Sequence, residues 1–194
     1  MSQSIKRVMR KRPNALQKMQ QTANKALKLI EQVEKKYNFD SGVRTIISIP
    51  WDNGFYLPKA YPIIGNTLKI PTTRNPKLKE FVYHELGHAI HDHFELRGYL
   101  KPFVKKSQKT MAEYISASER AAGYDRLPGF VSGYARCNRE EDFCETLSAY
   151  LINQKTWRNY IVYDGERISL RGDKKLKEKL QIIHDLLHDL EVFE

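Results

Sequence analysis

Cysteine is scarce in this sequence, and long apolar runs are missing from it. The two cysteines, Cys137 and Cys144, cannot cross-link a chain of 194 residues, so the sequence excludes a disulfide-stabilised scaffold. No stretch approaches the roughly 18 consecutive apolar residues of a membrane helix. The first residues, MSQSIKRVMRKRPNAL, lack the apolar segment of a secretion signal. We therefore expect a cytoplasmic protein without a membrane span, leaving open export by another route or association with a virus particle.

Acidic residues are missing from the first 30 positions, which contain eight basic ones. The whole chain has 33 basic and 23 acidic residues, a net charge of +10, so most of the excess lies at this end. We expect residues 1–13 to form a basic flexible arm and residues 14–194 a single domain. Clustered lysine and arginine favour weak contact with nucleic acid or an acidic partner. The alternative is a solvated arm that binds nothing.

Apolar spacing predicts an α+β fold, with a small mixed or antiparallel sheet followed by helices. Leu16, Met19, Ala23, Ala26, Ile30, Val33 and Tyr37 form one helical stripe, which favours docking onto the core over a coiled coil. The predicted elements are an N-terminal helix 14–38, a sheet region 44–71 with strands at 45–49, 54–57 and 67–70, and helices at 76–97, 109–120, 139–153 and 174–193. Gly98 and Pro102 are expected to close the second helix. Residues 159–172 are expected to form a small hairpin or a loop, with Asp164-Gly165 as the turn.

The chemistry lies in the run His84-Glu85-Leu86-Gly87-His88. On a helix, positions i and i+4 share a face, so both imidazoles can reach one metal ion. The carboxylate of Glu85 is then near a water in the open metal position. Chance would produce this motif about 0.01 times in such a chain. Gly87, costly inside a helix, predicts a neighbouring helix packed close beneath the metal.

Two histidines leave a zinc site one protein ligand short. The helix predicted at 139–153 begins with an acidic run in which Glu141 and Glu145 are four residues apart. One of them can bind zinc while the other accepts a hydrogen bond from a ligating histidine. The alternative is an acidic first turn that only complements the helix dipole.

These motifs resemble a known family. The segment HELGHAIHD, then Tyr134, then EEDFCE is similar to the catalytic domain of anthrax lethal factor and to the Pro-Pro endopeptidases, which are zincin proteases of the gluzincin type. The resemblance covers about residues 78–151. It implies a zincin-like fold, with Glu141 as the third zinc ligand and Glu145 as the carboxylate that orients a ligand. It also implies that the phenol of Tyr134 stabilises the oxyanion.

The sequence thus predicts a zinc-dependent endopeptidase acting on a peptide or protein. His84, His88 and Glu141 bind Zn²⁺, while Glu85 is the general base. The alternative is a weakly active or inactive zincin-fold binding protein, for example phage- or nucleic-acid-associated, that acts through its basic arm. The substrate groove is expected along 54–58, with Trp51, Phe55 and Tyr56 as pocket or core aromatics.

Two other groups compete for the metal. His184 and His188 also have helical i, i+4 spacing, but they lack a glutamate between them, so an exposed histidine pair is the favoured interpretation. Cys137 and Cys144 offer only two thiols, so zinc binding through them is disfavoured.

Overall fold

The computed structural model describes residues 15–41, 43, 45–49, 67–71, 77–95, 100–118 and 127–189. The helices and strands of these segments follow the α+β pattern. In chain order they are α1 (Ala15–Tyr37), β1 (Thr45–Ile49), β2 (Thr67–Pro71), α2 (Leu78–Glu95), α3 (Lys101–Ser118), a 3₁₀ turn (Tyr134–Arg136), α4 (Arg139–Ile152), β3 (Tyr160–Tyr163), β4 (Glu166–Ser169) and α5 (Lys174–Asp189). None of the described helices is long and apolar enough to cross a membrane.

Helix α4 lies at the centre of the core. Every residue from Glu141 to Leu151 is buried, and the helix packs against α2, α3 and α5. Helix α2 contributes Val82, Leu86 and Ile90 to the same core. The central position of α4 matters for function, because it brings an acidic first turn against the motif helix α2.

The described strands form two separate pairs. β1 and β2 are parallel, with Thr45 opposite Thr67 and Ile49 opposite Pro71. β3 and β4 form an antiparallel hairpin. A parallel pair needs a crossover connection, and residues 50–66, which supply it, lie outside the described residues. The predicted strand at 54–57 and the predicted groove residues Trp51, Phe55 and Tyr56 fall in that gap.

The predicted hairpin is confirmed. Tyr163 pairs with Glu166, which leaves Asp164-Gly165 as a two-residue turn. Both turn residues have positive φ, 48° and 81°, as the tight turn that matches strand twist requires. The amide side chain of Asn153 bonds both the backbone N–H and the carbonyl of Val162, so it ties the hairpin to the end of α4.

Helix α3 differs from the prediction for this segment. It begins at Lys101, eight residues before the predicted start, and Pro102 lies in its first turn instead of closing α2. A proline is tolerated there because the first-turn N–H groups have no partner within the helix. The buried positions Phe103, Ser107 and Thr110 have helical spacing and mark the face turned to the core.

Helix α1 docks onto the molecule itself, as predicted, through Ala26, Ile30, Val33 and Tyr37, and it contacts β1 and α2. Leu16, the first residue of the predicted stripe, does not join the buried face. Its side chain is 74% exposed, since the buried face of α1 begins only at Thr22. The proposed arm 1–13, the end of the last predicted helix (190–193) and Gly98 lie outside the described residues.

Candidate metal centre

Helix α2 brings the two motif histidines together. His84 and His88 are one turn apart, and their ring centroids are separated by 5.0 Å. The side chains of His84 and His88 are only 9% and 12% exposed, so bulk water competes little with a ligand at their nitrogens. Both imidazoles contact carboxylates of α4, so the motif face of α2 is turned towards that helix.

Glu141 completes a three-residue group. Its Oε2 atom lies 3.2 Å from Nε2 of His84 and 3.6 Å from Nε2 of His88. Two donors bound tetrahedrally to zinc at about 2.0–2.1 Å are about 3.3 Å apart, so these separations match edges of a tetrahedron. The three donor atoms lie within 4.8 Å of one another, and donors of this kind suit zinc.

The start of α4 sets the position of Glu141. Asn138 caps the helix, because its side-chain oxygen accepts hydrogen bonds from the backbone N–H groups of Glu140 and Glu141 at 2.9 and 3.0 Å. A cap of this type is typically worth about 1 kcal/mol. The capped first turn contains Glu140 and Glu141, and both of these side chains contact histidines of α2.

Each histidine also contacts a carboxylate through its other ring nitrogen. Nδ1 of His84 lies 2.8 Å from Oε1 of Glu145, and Nδ1 of His88 lies 2.8 Å from Oε1 of Glu140. An ionised carboxylate only accepts hydrogen bonds, so Nδ1–H is the donor in both pairs. With Nδ1 facing these carboxylates, Nε2 of each imidazole faces Oε2 of Glu141 and is the nitrogen that would bind a metal.

Glu145 is itself held by two hydroxyl groups. Ser132 Oγ donates to its Oε2 at 2.6 Å, and the buried Tyr163 hydroxyl donates to its Oε1 at 3.1 Å. Sequence reasoning missed Ser132, Tyr163 and Glu140. Glu140 stood beside Glu141 in the acidic run, so a signal for it existed, whereas Ser132 and Tyr163 come from a loop and a hairpin that carry no motif.

The carboxylates around His84 favour the positively charged form of its imidazole. Burial opposes ionisation of the His84 imidazole, but its hydrogen bonds with Glu141 and Glu145 prevail and raise its pKa to about 10. Burial also raises the pKa of the Glu85 carboxyl, while the neighbouring His84 and His88 act in the opposite direction. A carboxyl with a raised pKa is better matched to proton transfer near neutral pH.

Tyr134 lies beside the histidines. Its ring centroid is 6.0 Å from that of His84, and it sits at the start of the 3₁₀ turn before α4. Ser132 Oγ accepts a hydrogen bond from the backbone N–H of Ala135 at 3.1 Å, so the serine that holds Glu145 also holds this turn. The role of Tyr134 in catalysis remains a prediction, as do the roles of the other site residues.

Gly87 lies at a close contact between α2 and α4. A Cβ atom at this position would be 2.8 Å from Cα of Cys144 and 3.0 Å from its Cβ. The expected close helix beneath the motif is therefore confirmed, and it is α4. The absence of a side chain at Gly87 allows the approach that brings Glu141 to the histidines.

Gly87→Ala is expected to destabilise the protein by up to about 2 kcal/mol and to weaken zinc binding. The methyl group meets backbone, which cannot move without shifting α4, and overpacking of this kind costs about 1–3 kcal/mol. The better helix propensity of alanine offsets about 1 kcal/mol of that cost. Urea denaturation and zinc titration measure the two effects. Gly172→Ala is the control, since no described atom lies within 4 Å of its added Cβ, and equal effects of both variants would contradict the close-packing argument.

The two alternative metal-binding groups, the histidine pair of α5 and the two cysteines, differ in burial and surroundings from the group of His84, His88 and Glu141. His184 is half-buried, with Nδ1 2.7 Å from the Tyr150 hydroxyl, whereas His188 is exposed, so only His188 matches the expected exposed pair. Burial lowers the pKa of His184; His188, Arg158 and Lys36 act in the same direction, and Asp185 opposes them. Positive charges beside this pair disfavour a cation there. Cys137 is exposed and Cys144 buried, and both thiols are free.

Comparison with known proteins agrees with this geometry. A family model described as "Putative zinc-binding metallo-peptidase" matches residues 66–190, a segment that covers more than half of the chain and includes α2, Tyr134 and all of α4. Neither the curated proteins nor the solved structures contain a match. Zinc is the metal of this family, and His84, His88 and Glu141 are a group that can hold it. The chain therefore belongs to this zinc-binding metallopeptidase family.

Proposed function

We propose that the protein is a zinc-dependent endopeptidase with a zincin-like fold of the gluzincin type. The observation that carries the proposal is the convergence of donor atoms of His84, His88 and Glu141 to within 4.8 Å of one another, with Glu85 beside the two histidines on α2. Membership of the metallopeptidase family supports it. The substrate class follows from the chemistry, because this arrangement suits attack of water on a peptide carbonyl.

His84, His88 and Glu141 would hold the ion. A bound zinc supplies a Lewis acid for the carbonyl oxygen and lowers the pKa of a coordinated water. Glu85 takes the proton of the attacking water and passes it to the leaving amine. The Tyr134 phenol donates a hydrogen bond to the oxyanion, a contribution of about 2.7–4 kcal/mol for donors of this type.

Zinc content and peptide cleavage test the proposal together. Wild type is expected to carry one zinc per chain and to cut members of a peptide library, with activity lost to a chelator and restored by zinc. Glu141→Ala is expected to lose both zinc and cleavage. Glu166→Ala, which removes an exposed carboxylate on β4, is the matched control and should retain both.

Zinc-loaded wild type that cuts no library member would refute the endopeptidase proposal. Salt-dependent binding of DNA by that protein would then favour the alternative of a binding protein that acts through its basic arm. A Glu141→Ala variant with undiminished zinc content would instead refute the assignment of the third ligand.

A further inference from the structure

Two carboxylates on α4 flank Glu141, and each contacts a different histidine. Glu145 contacts His84 and Glu140 contacts His88, both at 2.8 Å. The side chains of His88 and Glu140 are only 12% and 11% exposed, so water competes weakly for this hydrogen bond. Helix α4 therefore faces the histidines with three carboxylates, of which the resemblance had implied only those of Glu141 and Glu145.

We propose that Glu140 is a positioning residue of the metal centre, which holds His88 with Nε2 towards the metal. The inference rests on the proposed function, in that His84, His88 and Glu141 are taken as the zinc ligands. The metal would thus be ligated by two histidines that are each oriented by their own carboxylate.

Each ring nitrogen of His88 faces a different carboxylate of α4. Nδ1 lies 2.8 Å from Oε1 of Glu140, and Nε2 lies 3.6 Å from Oε2 of Glu141. Without an acceptor at Nδ1, the imidazole can exchange tautomers or rotate. Zinc binding must then fix the tautomer and the ring orientation, which costs part of the binding free energy. Loss of that acceptor should therefore appear as weaker zinc binding.

Zinc affinity, measured by competition with a chromophoric chelator, tests the inference without any substrate. Glu140→Ala is expected to bind zinc about 10–100-fold more weakly than wild type. Glu140→Gln keeps an acceptor oxygen and should recover part of this loss. In the zinc-loaded wild type, the ¹⁵N spectrum should show His88 protonated at Nδ1, and in Glu140→Ala that N–H signal should shift upfield.

Net charge is the main rival explanation, because Glu140 lies in an acidic first turn. Arg139→Gln combined with Glu140→Ala keeps the net charge of that turn unchanged, since one basic and one acidic residue are lost together. If the hydrogen bond to His88 matters, this double variant should remain about 10–100-fold weaker than wild type. Recovery of wild-type affinity would overturn the inference in favour of a simple charge effect.

The outcomes separate this inference from the proposed function. Wild type that binds zinc, with Glu140→Ala equally tight, overturns the role of Glu140 and leaves the peptidase proposal standing. Wild type that binds zinc and cuts no peptide, with Glu140→Ala weakened, overturns the peptidase proposal alone. Wild type without zinc affinity overturns both. Circular dichroism of each metal-free variant establishes that the comparison is between folded proteins.

Discussion

Glu85→Gln is expected to lower the rate of peptide cleavage about 10²–10⁴-fold while zinc content stays at the wild-type level. Glutamine has the size and polarity of glutamate, but its amide cannot take a proton from the attacking water. Glu85 is not one of the three residues whose donor atoms converge, so ion binding should survive its replacement. Metal analysis and initial cleavage rates on a peptide found by the library digest measure the two quantities.

The raised pKa of Glu85 gives a reason to expect a large effect. Because burial holds this carboxyl above its ordinary pKa, its proton affinity is closer to that needed for transfer between water and a leaving amine. Glu166→Gln, the same change at an exposed position of β4, is the control and should leave the rate unchanged. Turnover by Glu85→Gln at the wild-type rate would show that another group, or none, performs the proton transfer.

Lys179→Met is expected to cost about 3–5 kcal/mol of unfolding free energy. The Lys179 ammonium and the Asp142 carboxylate are 2.5 Å apart, and both side chains are fully buried. Burial lowers the pKa of Lys179 and raises that of Asp142, each shift being opposed by the charge of the other residue. Loss of the lysine would leave a buried carboxylate without its counter-charge, and urea denaturation would measure the loss.

Two further variants test whether the cost comes from the uncompensated charge. Asp142→Asn combined with Lys179→Met removes both charges, while the amide oxygen introduced by the first change can still accept the hydrogen bond that Ser107 donates to Asp142 at 2.6 Å. The double variant should therefore be more stable than Lys179→Met. Lys177→Met, an exposed change on the same helix, should alter stability by less than about 0.5 kcal/mol. Equal losses from Lys177→Met and Lys179→Met would contradict the argument.

The ion pair of Asp142 and Lys179 also helps to hold the candidate metal centre in place. Asp142 follows Glu141 directly, and its carboxylate joins Ser107 of α3 to Lys179 of α5. The Lys179 ammonium also lies 4.1 Å from the ring centroid of Phe130, in the segment that leads to Tyr134. The first turn of α4 is thus held by α3 and α5 as well as by α2, which limits the movement of Glu141 relative to the histidines.

The sequence by itself determined the local parts of the site. The i, i+4 spacing of His84 and His88 put both imidazoles on one face of a helix, because that spacing is a property of any α-helix. Gly87 indicated a close helix contact for an equally local reason, since glycine is unfavourable in a helix unless small volume is needed. The Asp164-Gly165 turn likewise followed from the dihedral angles that a two-residue hairpin demands.

Only the tertiary structure decided which carboxylate meets which nitrogen. The spacing of Glu141 and Glu145 left open which of them meets the Nε2 atoms, and it gave Glu140 no role. The contacts of these glutamates with the two histidines depend on the angle and depth at which α4 packs on α2. Ser132 and Tyr163 came to Glu145 from other parts of the chain. The early start of α3 and the exposure of Leu16 also depend on tertiary packing. The periodicity of apolar residues shows which residues share a face of a helix, but not how much of that face the neighbouring elements cover.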